Sequence, residues 1–191
     1  EQALEAYRGT LGEEDPGTLA VRNKLGNLLQ EQGRLSEAEP HYLEALAISR
    51  RTLGEEHHRT LDLIGGLGLL YAAQGKMHEA EPLYLKAMEG RRRLLGDLDP
   101  DTLTAIGNMG WLLRTLGKPS EGEPYMREAL AGQRAVLGND HPNTLTAISN
   151  LGGLMVEKGE YEEAEALLSE ALSIRRRVQG DEHPSTLVTA E

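Results

Sequence analysis

Residues 137–159 read LGNDHPNTLTAISNLGGLMVEKG, and 42 residues earlier, at 95–117, stands LGDLDPDTLTAIGNMGWLLRTLG. The spacing holds along the chain. Glycine recurs at Gly12, Gly54, Gly96, Gly138 and Gly180, with threonine-leucine six positions later at Thr18-Leu19, Thr60-Leu61, Thr102-Leu103, Thr144-Leu145 and Thr186-Leu187. A second series, Gly33, Gly75, Gly117 and Gly159, is followed by Glu39, Glu81, Glu123 and Glu165, then by Ala45, Ala87, Ala129 and Ala171. A fixed period of this length marks an array of stacked supersecondary units.

Each unit reads as two helices. The first, helix A, begins at the proline of DP or HP and stops before a glycine, as from Pro100 to Leu116. Asp15 and Asp99 suit an N-cap with proline at the first helical position, and the Gly33 series suits the left-handed residue that ends a helix. The second, helix B, runs from about Ser36 to Leu53 and ends in arginines, such as Arg50-Arg51 and Arg175-Arg176-Arg177. Cations there complement the helix macrodipole, which accounts for them without an acidic ligand.

Composition agrees with packed helices. The chain has 191 residues, 39% hydrophobic and 27% charged, with only 4% aromatic and no phenylalanine, so a core is affordable and disorder is disfavoured. A formal charge of −11 argues against nucleic acid and anionic membrane surfaces as partners. No apolar run reaches the roughly 18–20 residues of a membrane span. With no cysteine, disulfides and thiolate metal sites are excluded and a reducing compartment is permitted; a cytoplasmic location is the expectation.

The composite LGxxHPxTLxxxxNLGxLxxxxGxxxEAExLYxxALxIRR, read across 137–159 and 161–177, resembles the tetratricopeptide repeat in its 42-residue form, as in kinesin light chains and nephrocystin-3-like proteins. Leu25-Gly26, Leu67-Gly68, Met109-Gly110 and Leu151-Gly152 match the family's leucine-glycine pair, Ala38, Ala80 and Ala164 its helix-B alanine, and Tyr42 and Tyr84 its aromatic. Gly122, Met126 and Leu168 depart from the pattern and are expected to weaken individual contacts. The resemblance implies an all-α solenoid of tandem antiparallel helix pairs wound as a right-handed superhelix. The register divides it into the end of a preceding helix B at 1–12, repeats at 13–54, 55–96, 97–138 and 139–180, and the start of a following helix A at 181–191. Apolar faces around Leu4, Leu11 and Leu187 are then expected to be open to weak head-to-tail self-association.

Catalytic templates are missing. There is no GxxxxGK[ST] loop, GxSxG elbow, HExxH pair or thiol, so neither an enzyme nor a cofactor is expected. His57, His141 and His183 occupy equivalent turns of successive units, too far apart for a shared metal ion, and read as helix-entry residues.

Recognition remains. In the family the A helices line a concave groove in which peptides lie, and the leucine-glycine register assigns groove positions here. The first pair reads Asn23-Lys24, Gly65-Gly66, Gly107-Asn108 and Ser149-Asn150. A face exposed only to water would favour stronger helix formers such as glutamate or lysine. Asparagine offers both donor and acceptor to a peptide main chain, so Asn23, Asn108 and Asn150 can form a ladder that resembles the asparagines of kinesin light-chain grooves. In IGGLGLLYAAQG, residues 64–75, three helix-interior glycines each cost about 0.5–1 kcal/mol relative to alanine. Gly68 belongs to the packing pair, and Gly65 and Gly66 are expected to leave a hollow. Further groove positions are Asn27, Leu69, Trp111 and Arg114; Leu69 and Trp111 with Ala72 and Ala73 are expected to form an apolar floor rimmed by Asn108 and Arg114. The expected function is non-enzymatic binding of a protein or peptide partner. The alternatives are a scaffold or sensor segment of a larger regulator and self-assembly through uncapped ends.

Overall fold

A computed structural model describes residues 2–180, so His183, Thr186-Leu187 and the expected helix start at 181–191 lie outside the described residues. The chain divides into two compact units, residues 1–94 and 95–191. The first holds α1 (Gln2–Leu11), α2 (Pro16–Glu31), α3 (Leu35–Leu53), α4 (His58–Ala73) and α5 (Met77–Leu95), which runs to the boundary; the second holds α6 (Pro100–Thr115), α7 (Pro119–Leu137), α8 (Pro142–Lys158) and α9 (Tyr161–Gln179). No strand occurs among the described residues. The helices alternate in length: α2, α4, α6 and α8 have 16 or 17 residues and α3, α5, α7 and α9 have 19.

Helix starts follow from their caps. The Asp15 carboxylate accepts the Gly17 N–H at 2.7 Å, and Asp99 accepts those of Asp101 and Thr102 at 2.9 and 3.3 Å. His57 and His141 take the same position, their Nδ1 atoms accepting the N–H groups of Arg59 and Asn143 at 3.3 and 3.2 Å. An imidazole lone pair here replaces a carboxylate oxygen. In the first unit the Gly-to-Thr spacing has an equally local cause, whereas the buried Thr102 and Thr144 hydroxyls have no partner among the described residues. Thr18 and Thr60 donate their hydroxyls to the carbonyls of Gly12 and Gly54, each at 2.7 Å, pinning the end of one helix to the first turn of the next. The leucine that follows, at Leu19, Leu61, Leu103 and Leu145, is buried.

In the first unit α2 packs on α1 and α3, and α3 on α4; in the second α7 packs on α6 and α8, and α8 on α9; there is additional contact between α2 and α4 and between α6 and α8. In the first unit Leu19, Tyr42, Leu46, Leu61, Ile64 and Leu70 belong to one core; in the second, Met126, Leu130, Leu145, Ile148, Leu154 and Met155 belong to another. The leucine-glycine pair admits the facing helix: a Cβ on Gly26 would lie 3.0 Å from the Tyr42 ring, and one on Gly110 2.7 Å from Met126 Cγ. Gly122 does not loosen its junction as expected. A Cβ there would stand 2.6 Å from the Gly110 carbonyl oxygen, so paired glycines let α6 and α7 approach backbone to backbone. Leu4, expected on an open face, is buried at 5% exposure, whereas Leu11 is exposed.

Candidate functional site

In the first unit the candidate residues lie on α2 and α4. Asn23 is half-buried, and its Oδ1 is buried with no hydrogen-bond partner among the described residues. It lines a cavity of about 310 Å³ together with Lys24, Asn27, His58, Arg59 and Asp62. Asn27 also lines a second cavity, of about 410 Å³, with Gln30, Glu31, Gly66, Leu69 and Ala73. Beneath it the Tyr42 hydroxyl donates to Asn27 Oδ1 and lies 3.2 Å from Gln30 Oε1. Burial, reinforced by the Glu31 charge, pushes the Tyr42 phenol up to about 12. This bond occupies the Asn27 acceptor and leaves its amide hydrogens to donate.

The two glycines differ. Gly66 lines the second cavity, but the space above its Cα holds the Tyr42 ring, which a Cβ would approach to 2.6 Å. Gly65 is buried and opens no hollow, because the Arg91 guanidinium fills the space: a Cβ would lie 3.2 Å from its Nη1, and its Nη2 bonds Asp62 at 2.9 Å. Ala72 belongs to the core, which removes it from the expected floor, while Leu69 and Ala73 are exposed.

In the second unit, Asn108 and Asn150 line a smaller cavity of about 90 Å³ with Gly107, Gln133 and Asn143. Gln133 is buried, and its Oε1 has no partner among the described residues. Ser149 is committed to support: its hydroxyl is 3.0 Å from the Leu145 carbonyl and takes a bond from Arg175 Nη1 at 3.0 Å. Burial lowers the pKa of the Arg175 guanidinium. Trp111 is half-buried and packs partly against the second core, so one part of the ring is structural. Arg114 is not a free cation. Its Nη2 bonds Glu157 at 2.6 Å, holding that carboxyl below the usual carboxylate range, and its guanidinium lies over Gly153.

The sequence pattern assigns Tyr42 to packing and Arg175 to a helix end; it does not reveal that Tyr42 and the column Ser49, Arg91, Gln133 and Arg175 support the candidate positions. The column's signal is a polar residue every 42 positions where burial is expected. Among the described residues no cluster of three or more histidines and carboxylates could hold a metal ion.

Capped helix pairs in a 42-residue register, packed through leucine-glycine pairs, are the geometry against which known proteins can be compared. The sequence matches the tetratricopeptide repeat over residues 1–51, 18–84, 62–131, 114–168 and 147–191. The chain belongs to the tetratricopeptide repeat family. Solved relatives include a Podosopora anserina protein with nearly identical TPR-like repeats, assigned as a kinesin light chain, at 25% identity and a TM-score of 0.74 over 93% of this chain and 84% of that one. A substituted variant of it gives 25%, 0.76 and the same coverage. BtubC (BKLC) from P. vanneervenii, at 24% identity, shares the fold, with a TM-score of 0.83 over 98% of this chain and 76% of that one. No curated protein matches the sequence. Tetratricopeptide repeats generally mediate protein–protein interaction, and no described helix is long and apolar enough to cross a membrane.

Proposed function

We propose that this tetratricopeptide repeat chain is a non-enzymatic interaction module that binds a peptide segment along α2 and α4 in the first unit and along α6 and α8 in the second. The observation that carries this reading is the pair of cavities sharing Asn27, where Asn23 keeps an unused acceptor and Asn27 is held with its donors free. An extended peptide presents both a carbonyl and an N–H to satisfy them. Asn108 and Asn150 extend the same chemistry beside the smaller cavity, with Ser149 and Arg114 as supports and Trp111 as a half-buried apolar contact. The partner is a protein or peptide, with no cofactor, and a cytoplasmic setting fits a chain without cysteine.

The test is selection from a random peptide display library on the intact chain, followed by titration of the winners against Asn23→Ala and Asn150→Ala. Each substitution should weaken binding by about 1 kcal/mol, the scale of one hydrogen bond, with the melting temperature unchanged. A library that yields no binder, or binders indifferent to both substitutions, overturns the reading.

A further inference from the structure

The first unit's two cavities carry opposite charge. Lys24, His58 and Arg59 line the first, and neither Lys24 nor Arg59 has a carboxylate partner among the described residues. That is unusual in a chain of net charge −11, where neighbouring arginines are spoken for: Arg22 by Glu13 and Glu44, Arg51 by Glu14, Arg91 by Asp62. The one carboxylate lining this cavity, Asp62, is thereby offset by Arg91. In the second cavity the only charged lining residue is Glu31, which has no cationic partner among the described residues. Its other walls are the exposed Leu69 and Ala73 and the carboxamides of Asn27 and Gln30.

We infer that the first unit reads a dipolar peptide, with an anionic side chain at Lys24 and Arg59 and a cationic side chain at Glu31. This rests on the peptide-binding reading above and specifies its ligand. Lys24, Asn27 and Glu31 follow an i, i+3, i+7 stripe on α2, and Arg59, Asp62, Gly66, Leu69 and Ala73 follow a matching stripe on α4. Seven residues of helix span roughly 10 Å, and a peptide in the polyproline II conformation advances about 3.1 Å per residue and presents the same face every third residue, so the two charges belong three residues apart. Asn27, common to both cavities, donates its amide to a main-chain carbonyl between them. The aliphatic stem of a lysine or arginine lies on Leu69 and Ala73 while its head meets Glu31, the usual way such a side chain spans an apolar patch.

The probes are capped hexapeptides with serine ends and an alanine-leucine centre, bearing glutamate and lysine three apart in either order. Controls carry glutamine at either or both positions, two glutamates, or two lysines. Binding to the intact chain is followed by NMR titration at low and high salt. One order of the mixed pair should bind best, lose about threefold to fivefold on neutralising either charge, and weaken with salt. Lys24→Glu should move the preference to the two-lysine peptide and Glu31→Lys to the two-glutamate peptide, both variants keeping the parent melting curve. If the double-glutamine peptide binds as well and perturbs the Asn23 and Asn27 amides, or if the charge reversals leave the ranking unchanged, the dipolar reading falls and peptide binding stands. If no hexapeptide binds but display-selected peptides do, it falls alone; if neither binds, both readings fall.

Discussion

Gly66 shows how one position carries two meanings. Its place in the sequence suggests vacated space, yet the space belongs to Tyr42, whose ring would meet a Cβ at 2.6 Å. Gly66→Ala should therefore destabilise the chain by about 1–3 kcal/mol, the cost of overpacking, although alanine is the better helix former by about 1 kcal/mol. Denaturant unfolding decides it, and a stabilised variant would mean the ring moves freely. Tyr42 also has a signature in pH. Its phenol is raised from 10.0 to about 12 in the folded chain, so folding favours the protonated form. That stability is fully present below the unfolded value near 10 and is lost as pH rises toward 12. Tyr42→Phe should lower stability at neutral pH, by removing the bond to Asn27, and make the decline between those two values shallower than in the parent chain.

At the scale of the element, much was legible because each cause is local. The spacing from Gly54 to Thr60 is one hydrogen bond from a threonine hydroxyl to a glycine carbonyl, and Asp15, His57, Asp99 and His141 are caps. Thr60→Val, which keeps the shape and removes the hydroxyl at a buried position, should cost about 1–3 kcal/mol in denaturant unfolding, because the Gly54 carbonyl and the buried Ser49 hydroxyl both lose this partner. Pairs between elements were also written in the sequence. Arg51 bonds Glu14, Arg93 bonds Glu56 and Arg177 bonds Asp140, all 37 residues apart, and where the register brings Ala135 the partner position holds Leu98. These pairs are exposed, so Arg93→Ala should change stability by less than about 1 kcal/mol. The site was less legible. The positions on α2, α4, α6 and α8 came from the register, but what each side chain can do is set by Tyr42, Arg91, Gln133 and Arg175. Those vary from repeat to repeat, so the period that reveals the fold does not predict them.

At the scale of the whole molecule, a solenoid's stability is approximately a sum of repeat terms and nearest-neighbour interfaces, which makes repeats similar in outline without making them interchangeable. Gly122 tests this. Its counterparts are Ala38, Ala80 and Ala164, so Gly122→Ala restores the pattern of the chain itself and gains helix propensity of about 1 kcal/mol. A consensus argument expects stabilisation. The packing argument expects the reverse, because the new Cβ would stand 2.6 Å from the Gly110 carbonyl oxygen and 3.2 Å from Leu113 Cβ, and neither backbone can yield without separating α6 from α7. The net loss should be about 1–3 kcal/mol. Because interfaces are local, amide hydrogen exchange should accelerate in α6, α7 and the adjoining α8 while α2 and α3 keep their protection. Uniform acceleration in all helices would show one cooperative block instead of nearest-neighbour coupling, and a stabilised variant would show that α6 and α7 are not held at the backbone contact this glycine pair permits.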